Sequence, residues 1–167
     1  MEAILKIVDA INRGLGKIMS FFILPLIFIL CYEVVMRYFF NSPTIWAHEI
    51  SGHIFGMYAV LGGGYVMLNR EHIKSDVLYA QFSERNQAII DLVTFPLIFF
   101  LLAVIFVEGI EMAKVSLKYR ETTVSFLRSP VYPVKMCIPI AAFLMLLQGI
   151  AQFIRTFRFV LKGKGGA

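Results

Sequence analysis

The chain has 167 residues, of which 59% are hydrophobic, and its mean hydropathy is +0.76. A soluble domain of this size cannot place so large an apolar fraction in its interior, so lipid is the expected solvent. The 16 basic residues exceed the 11 acidic ones and flank apolar runs, which favours an anionic membrane surface over nucleic acid as the partner. The only two cysteines, Cys31 and Cys137, lie inside apolar stretches and are interpreted as packing residues.

The first predicted element covers residues 1–17. Its apolar side chains recur at every third or fourth position, and most of its charged side chains fall between them. This periodicity is typical of an amphipathic helix. Two interpretations stay open at this point: a separate helix that lies in the membrane interface, or an N-terminal extension of the first transmembrane helix.

Four apolar stretches follow, and each is long enough to cross the roughly 30 Å hydrocarbon core of a bilayer as a helix. Their continuous apolar character differs from the alternating pattern of membrane-barrel strands. The predicted fold class is therefore an all-α integral membrane protein, a single membrane domain with four transmembrane helices and a possible N-terminal amphipathic interfacial helix. The predicted spans cover about residues 18–36, 46–68, 89–107 and 134–157.

The distribution of basic residues predicts the orientation of these spans. The first span lacks a small-residue cleavage site and ends in charged residues, so it is interpreted as a retained anchor and not as a signal peptide. Counted outside the spans or within a few residues of their ends, ten Lys and Arg residues fall on the side of the N-terminus and six on the other side. Because cytoplasmic segments hold the excess of positive charge, both termini are predicted to be cytoplasmic. The segment between the third and fourth spans is unusually basic for an exported loop.

Charged residues in or near the spans are candidates for function, because an unpaired charge in lipid is costly. Glu33 and Arg37 are four residues apart, as are Glu49 and His53, so each pair can meet on one helix face. Contact with another subunit is the alternative for both pairs. His48 and His53 flank Glu49 as in zinc-protease helices, but a spacing of five residues separates them by about 140°, which disfavours a metal or haem site.

The second span has a stripe of small residues. Gly52, Gly56, Ala59 and Gly63 follow one another at intervals of four, three and four residues, so they share one helix face, and the Glu49 and His53 pair lies beside them. Small residues allow close approach of a second helix in lipid. Whether that helix belongs to this chain or to a partner stays open.

Three segments resemble a known family. The sequence RYFFNSPTIWAHE, which includes Trp46, closes the first span and opens the second over residues 37–49. The segment His72-Ile73-Lys74-Ser75-Asp76 follows the second span, and a proline-rich segment leads into the fourth. In order and spacing these resemble the small membrane subunit, the DctQ-like Q subunit, of tripartite ATP-independent periplasmic (TRAP) transporters. His48 and Ser75 depart from the residues that many relatives have there.

The resemblance implies a transport subunit and not an enzyme. It implies a place in the bacterial inner membrane, in a sodium symport system for the uptake of organic acids such as dicarboxylates or sialic acid. The implied partners are the large TRAP membrane subunit, a periplasmic substrate-binding protein and the lipid bilayer, with no nucleic acid. No cofactor is implied for this chain, because the sodium ions are expected on the large subunit. The implied role is that of a scaffold beside the large subunit.

The alternative function is an autonomous four-helix transporter that works as a dimer around Glu33 or Glu49. It would need a carboxylate that faces a wet cavity, whereas Arg37 is available to neutralise Glu33. An enzyme is not predicted, because no combination of nucleophile, base or metal ligands is present. The candidate interface or structural residues are Glu33, Arg37, Trp46, Glu49, Gly52, His53, Gly56, Ala59, Gly63, His72 and Asp76.

Overall fold

The computed structural model describes residues 2–69, 82 and 84–162. Within this part the chain forms four helices and no strand. The helices are α1 (Glu2–Tyr38), α2 (Ile45–Leu68), α3 (Glu84–Lys118) and α4 (Tyr132–Lys162). The predicted all-α fold class is confirmed.

Three of the four helices are long and apolar enough to cross a membrane. The qualifying segments are Leu5–Tyr38 in α1, Ile89–Lys118 in α3 and Tyr132–Arg158 in α4. Helix α2 has 24 residues and is about 36 Å long, which is sufficient to cross the bilayer, but its glycines and polar side chains lower its apolar character. Its place between α1 and α4 supports the prediction that it crosses the membrane as well.

Helix α1 is one uninterrupted helix of 37 residues, about 55 Å long. The first 17 residues, as far as they are described, are therefore an N-terminal extension of the first transmembrane helix and not a separate element. Pro25 lies inside α1 without ending it, and prolines of this kind are tolerated in membrane helices because neighbouring groups satisfy the freed carbonyl. The polar side of the extension packs against α4, as its contacts below show.

The four helices are arranged in the order α1, α2, α4, α3. Helix α3 packs mainly on α4, with the rings of Phe95 and Phe153 5.2 Å apart and those of Phe106 and Phe143 5.8 Å apart. Helix α4 is central, since 33% of its most apolar 18-residue stretch is buried, compared with 11% of the corresponding stretch in α1 and 6% in α3. The outward faces of α1 and α3 are thus left for lipid or for another subunit.

A short connection joins α1 to α2 and makes them antiparallel. Asn41 adopts a left-handed conformation with φ 49°, which asparagine tolerates better than most residues. The backbone N–H of Ser42 donates to the carbonyl of Met36 at 3.0 Å. Beneath the turn, the rings of Tyr32 and Trp46 are 5.6 Å apart, so Trp46 holds the start of α2 against the end of α1.

Candidate functional site

Glu33 is buried near the end of α1, with only 7% of its surface exposed. One carboxylate oxygen accepts from the Arg37 guanidinium, with Nη2 at 2.6 Å and Nε at 3.2 Å. The other accepts from the hydroxyl of Thr44 and from its backbone N–H at 3.0 Å. Thr44 is the N-cap residue of α2. The predicted Glu33 and Arg37 pair is therefore present. Its hydrogen bonds with Thr44 also link the end of α1 to the start of α2.

Glu49, in the first turns of α2, binds the connection between α3 and α4, which we call the outer loop (residues 119–131) after its predicted side of the membrane. Its carboxylate accepts from the hydroxyls of Thr123 and Ser125, the latter at 2.7 Å. The backbone N–H of Ser129 lies 3.4 Å from the same carboxylate. These donors are 74 to 80 residues away in the sequence. The contact joins the start of α2 to the loop that leads into α4.

The structure corrects the predicted pairing of Glu49 with His53. The imidazole Nδ1 of His53 lies 2.7 Å from the backbone carbonyl of Glu49, and because a carbonyl only accepts, Nδ1 is the donor. The carboxylate itself turns to the outer loop. The buried Nε2 of His53 has no hydrogen-bond partner within the part of the chain that the structure describes. The physical reason is competition: the loop offers two hydroxyl donors to the carboxylate, while Nδ1 of the imidazole is already bonded to the backbone carbonyl of its own helix.

The outer loop is held in a hairpin-like shape by its own backbone. Thr123 donates to Ser129 at 2.9 Å, and Val131 donates to Glu121 at 3.0 Å. The Glu121 carboxylate accepts from the Lys135 ammonium at 2.5 Å. This hydrogen bond lowers the pKa of Glu121 below its usual value, so the bond stabilises the loop at neutral pH and is lost in acid as the carboxylate is protonated.

The small-residue stripe of α2 divides between two surroundings. A side-chain carbon added at Gly56 would lie 3.2 Å from Val134 Cγ1, and one at Gly63 would lie 2.9 Å from Met145 Sδ. These two glycines therefore face α4 of the same chain. A carbon added at Gly52 would meet nothing within 4 Å, and Ala59 is exposed. Half of the stripe serves internal packing, and half faces outward.

A second polar cluster, which the sequence pattern alone did not predict, joins the N-terminal extension to α4. Asn12 is 1% exposed and Gln148 is fully buried. The Asn12 amide donates to Gln148 Oε1 at 2.9 Å, and the Gln148 amide donates to Asp9 Oδ1 at 3.0 Å. Arg155 pairs with the other oxygen of Asp9 at 2.5 Å. We call Asp9, Asn12, Gln148 and Arg155 the inner cluster.

Glycines let α2 and α1 approach closely beside this cluster. A side-chain carbon at Gly64 would clash with the Asn12 amide, and one at Gly16 would clash with the ring of Tyr65. A signal for the cluster exists in the sequence, because Gln148, Gln152 and Arg155 follow one another at intervals of four and three within an apolar run. Polar side chains on one face of a membrane helix indicate a protein neighbour.

A groove between α3 and α4 has a volume of about 510 Å³ and is lined by aromatic and aliphatic side chains such as Phe95, Phe99 and Phe153. It has no charged side chain that could bind a carboxylate. Within the described residues, no group of three or more His, Cys, Asp or Glu side chains could hold a metal ion. The candidates His72 and Asp76 lie outside the described residues.

These features define an all-helical integral membrane protein whose intramembrane polar side chains join helices and loops to one another. The chain belongs to the family described as the DctQ component of tripartite ATP-independent periplasmic transporters, whose family model matches residues 26–159, more than half of the chain. It is thus the small membrane component of a TRAP transporter. Membership of this family points to the bacterial inner membrane. No curated protein matches the sequence.

Proposed function

We propose that this chain is the scaffold subunit of a sodium-coupled, binding-protein-dependent secondary transporter for organic acids such as dicarboxylates or sialic acid. The large membrane subunit moves the substrate and binds the sodium ions. The observation that supports this division of labour is the use of the polar groups: the Glu33 and Glu49 carboxylates and the inner cluster are all engaged in contacts within the chain. A transport site needs convergent groups that are free to bind a solute.

The outward half of the α2 stripe is the proposed contact with the large subunit. Gly52 and Ala59 leave a shallow surface on which a second helix could lie closely, and helices in lipid associate through such packing. Glu33, Arg37 and Trp46 contribute indirectly, because they fix the start of α2 and so the direction of this surface. The remaining exposed faces of α1 and α3 are available to lipid.

The matched substitutions Gly52→Leu and Gly56→Leu test this proposal. Gly52→Leu points into open space, so we expect the isolated subunit to melt in detergent at the wild-type temperature but to lose co-purification with the large subunit. Gly56→Leu must displace Val134, so we expect a lower melting temperature of the isolated subunit itself. If Gly52→Leu co-purified and supported transport like the wild type, the proposed contact surface would be wrong.

The second candidate, an autonomous dimeric transporter, requires a carboxylate that is free to bind a proton, ion or solute. Glu33 is paired with Arg37 and Thr44, and Glu49 accepts from two hydroxyls of the outer loop. Both carboxylates therefore have partners already, and nothing in the described residues favours this candidate over the scaffold.

We also propose that both termini are cytoplasmic, which follows from the excess of basic residues on that side and from four crossings. Alkaline phosphatase fused after Ser42 or Thr123 should then be active, because both positions are exported. Fusions after Ser75 or Lys164 should be inactive. The reverse pattern of activities would contradict this orientation.

A further inference from the structure

The outer loop has an exposed apolar tip, and hydrogen bonds hold the residues on either side of that tip. Val124 is 107% exposed and Phe126 is 94% exposed, values close to those of an isolated residue. The base is fixed by the Glu49 contacts and by the backbone pairing of Thr123 with Ser129. A loop that is ordered in this way presents its tip in one geometry, which lowers the entropy lost when a partner binds.

Two arginines flank this tip in a backbone conformation that normally favours glycine. Arg120 has φ 45° and Arg128 has φ 47°, and both side chains are exposed. At Arg120, Glu121 donates to the carbonyl of Ser116 at 3.0 Å, which is the pairing that ends helices with glycine at this position. Glycine would adopt these conformations without steric cost, so each arginine side chain stands at a position that costs backbone strain.

The charge of the loop indicates the chemistry of the partner. Glu121 is already paired with Lys135, so Arg120 and Arg128, with Lys114 and Lys118 at the end of α3, leave a net positive surface. In the proposed orientation this surface is exported, where positive charge opposes the usual distribution. The strongly negative membrane surface is the cytoplasmic one. An acidic protein therefore matches an exported basic loop better than a lipid surface does.

We infer that the outer loop is a docking element for an acidic, water-soluble protein that receives the tip residues Val124 and Phe126 in an apolar depression. Arg120 and Arg128 pair with carboxylates at the rim of that depression. The inference rests on the proposed function, in which the exported partner is the substrate-binding protein. Fixed shape suits a protein partner in particular, because insertion of apolar side chains into lipid needs no defined loop geometry.

The test measures the affinity of the purified binding protein for the assembled complex of small and large subunits in nanodiscs, at low and high salt. For Arg120→Gly with Arg128→Gly we expect about tenfold weaker binding and a smaller salt dependence. The melting temperature of the small subunit should stay the same or rise, because glycine relieves both left-handed positions. Arg120→Lys with Arg128→Lys retains the charge at a similar backbone cost and should bind within about threefold of wild type.

A third variant, Val124→Ser with Phe126→Ser, tests the tip and should weaken binding by about tenfold with little change in salt dependence. Wild-type affinity in both the glycine and serine variants would overturn the inference. It would also be overturned if the weaker binding of these variants appeared only in nanodiscs of anionic lipid and vanished in nanodiscs of neutral lipid, since the loop would then act through the membrane surface. Failure of the wild-type small subunit to assemble with the large one would instead overturn the proposed function.

Discussion

Gln148→Leu should lower the free energy of unfolding of the isolated subunit by about 2 kcal/mol. Gln148 is fully buried and makes one hydrogen bond to Asn12 and one to Asp9. Leucine has a similar size but no polar atom, so it leaves the buried Asn12 amide with only the Val8 carbonyl as its acceptor. The measurement is a denaturant titration of the purified subunit in mixed micelles.

The control is Ile140→Ala, also on α4, where 51% of the residue surface is exposed. A substitution that faces lipid leaves no buried group unpaired, so its effect should stay below about 1 kcal/mol. Equal stability of Gln148→Leu and the wild type would show that the inner cluster does not hold the N-terminal half of α1 against α4.

Glu49→Leu should release the outer loop from α2. The carboxylate accepts a hydrogen bond from the hydroxyl of Thr123 and from that of Ser125. A hydrophobic side chain at this position removes the acceptor of both hydroxyls. Because trypsin cleaves after arginine only where the backbone opens, cleavage at Arg120 and Arg128 in membrane vesicles reports this release. We expect the rate to rise about tenfold or more.

Glu49→Gln retains an acceptor oxygen, so its cleavage rate should rise less than that of Glu49→Leu. Glu111→Leu, at an exposed position on α3, removes a carboxylate near the same end of the molecule without touching the loop and should leave the rate unchanged. A loop that is cleaved at the wild-type rate in all three variants would show that Glu49 does not fix it. The docking inference would then lose its rigid base.

The helices were predictable from the sequence because long continuous apolar runs have few alternatives in lipid. The pairing of Glu33 with Arg37 was predictable for a similar reason, since both residues lie on one helix four positions apart. The first 17 residues were ambiguous, because an amphipathic pattern has the same period whether its polar side meets water or another helix. The structure shows that Asp9 and Asn12 meet α4.

The contacts that periodicity could not predict are those between distant segments. Asn12 and Gln148 are 136 residues apart, and Glu49 and Ser125 are 76 residues apart. The sequence indicates that such polar residues need hydrogen-bond partners, but it does not indicate which residues those partners are. The small-residue stripe has the same limitation: helical spacing places Gly52 and Gly56 on one face, whereas only the position of α4 determines which of them is covered.

Uptake by reconstituted vesicles shows whether this chain supports transport without performing it. Labelled succinate and labelled sialic acid serve as probes, with an inward sodium gradient and the binding protein outside. We expect uptake of one probe when the small and large subunits are both present, and only background uptake by vesicles that contain the small subunit alone. Sodium-dependent uptake by the small subunit alone would contradict the account.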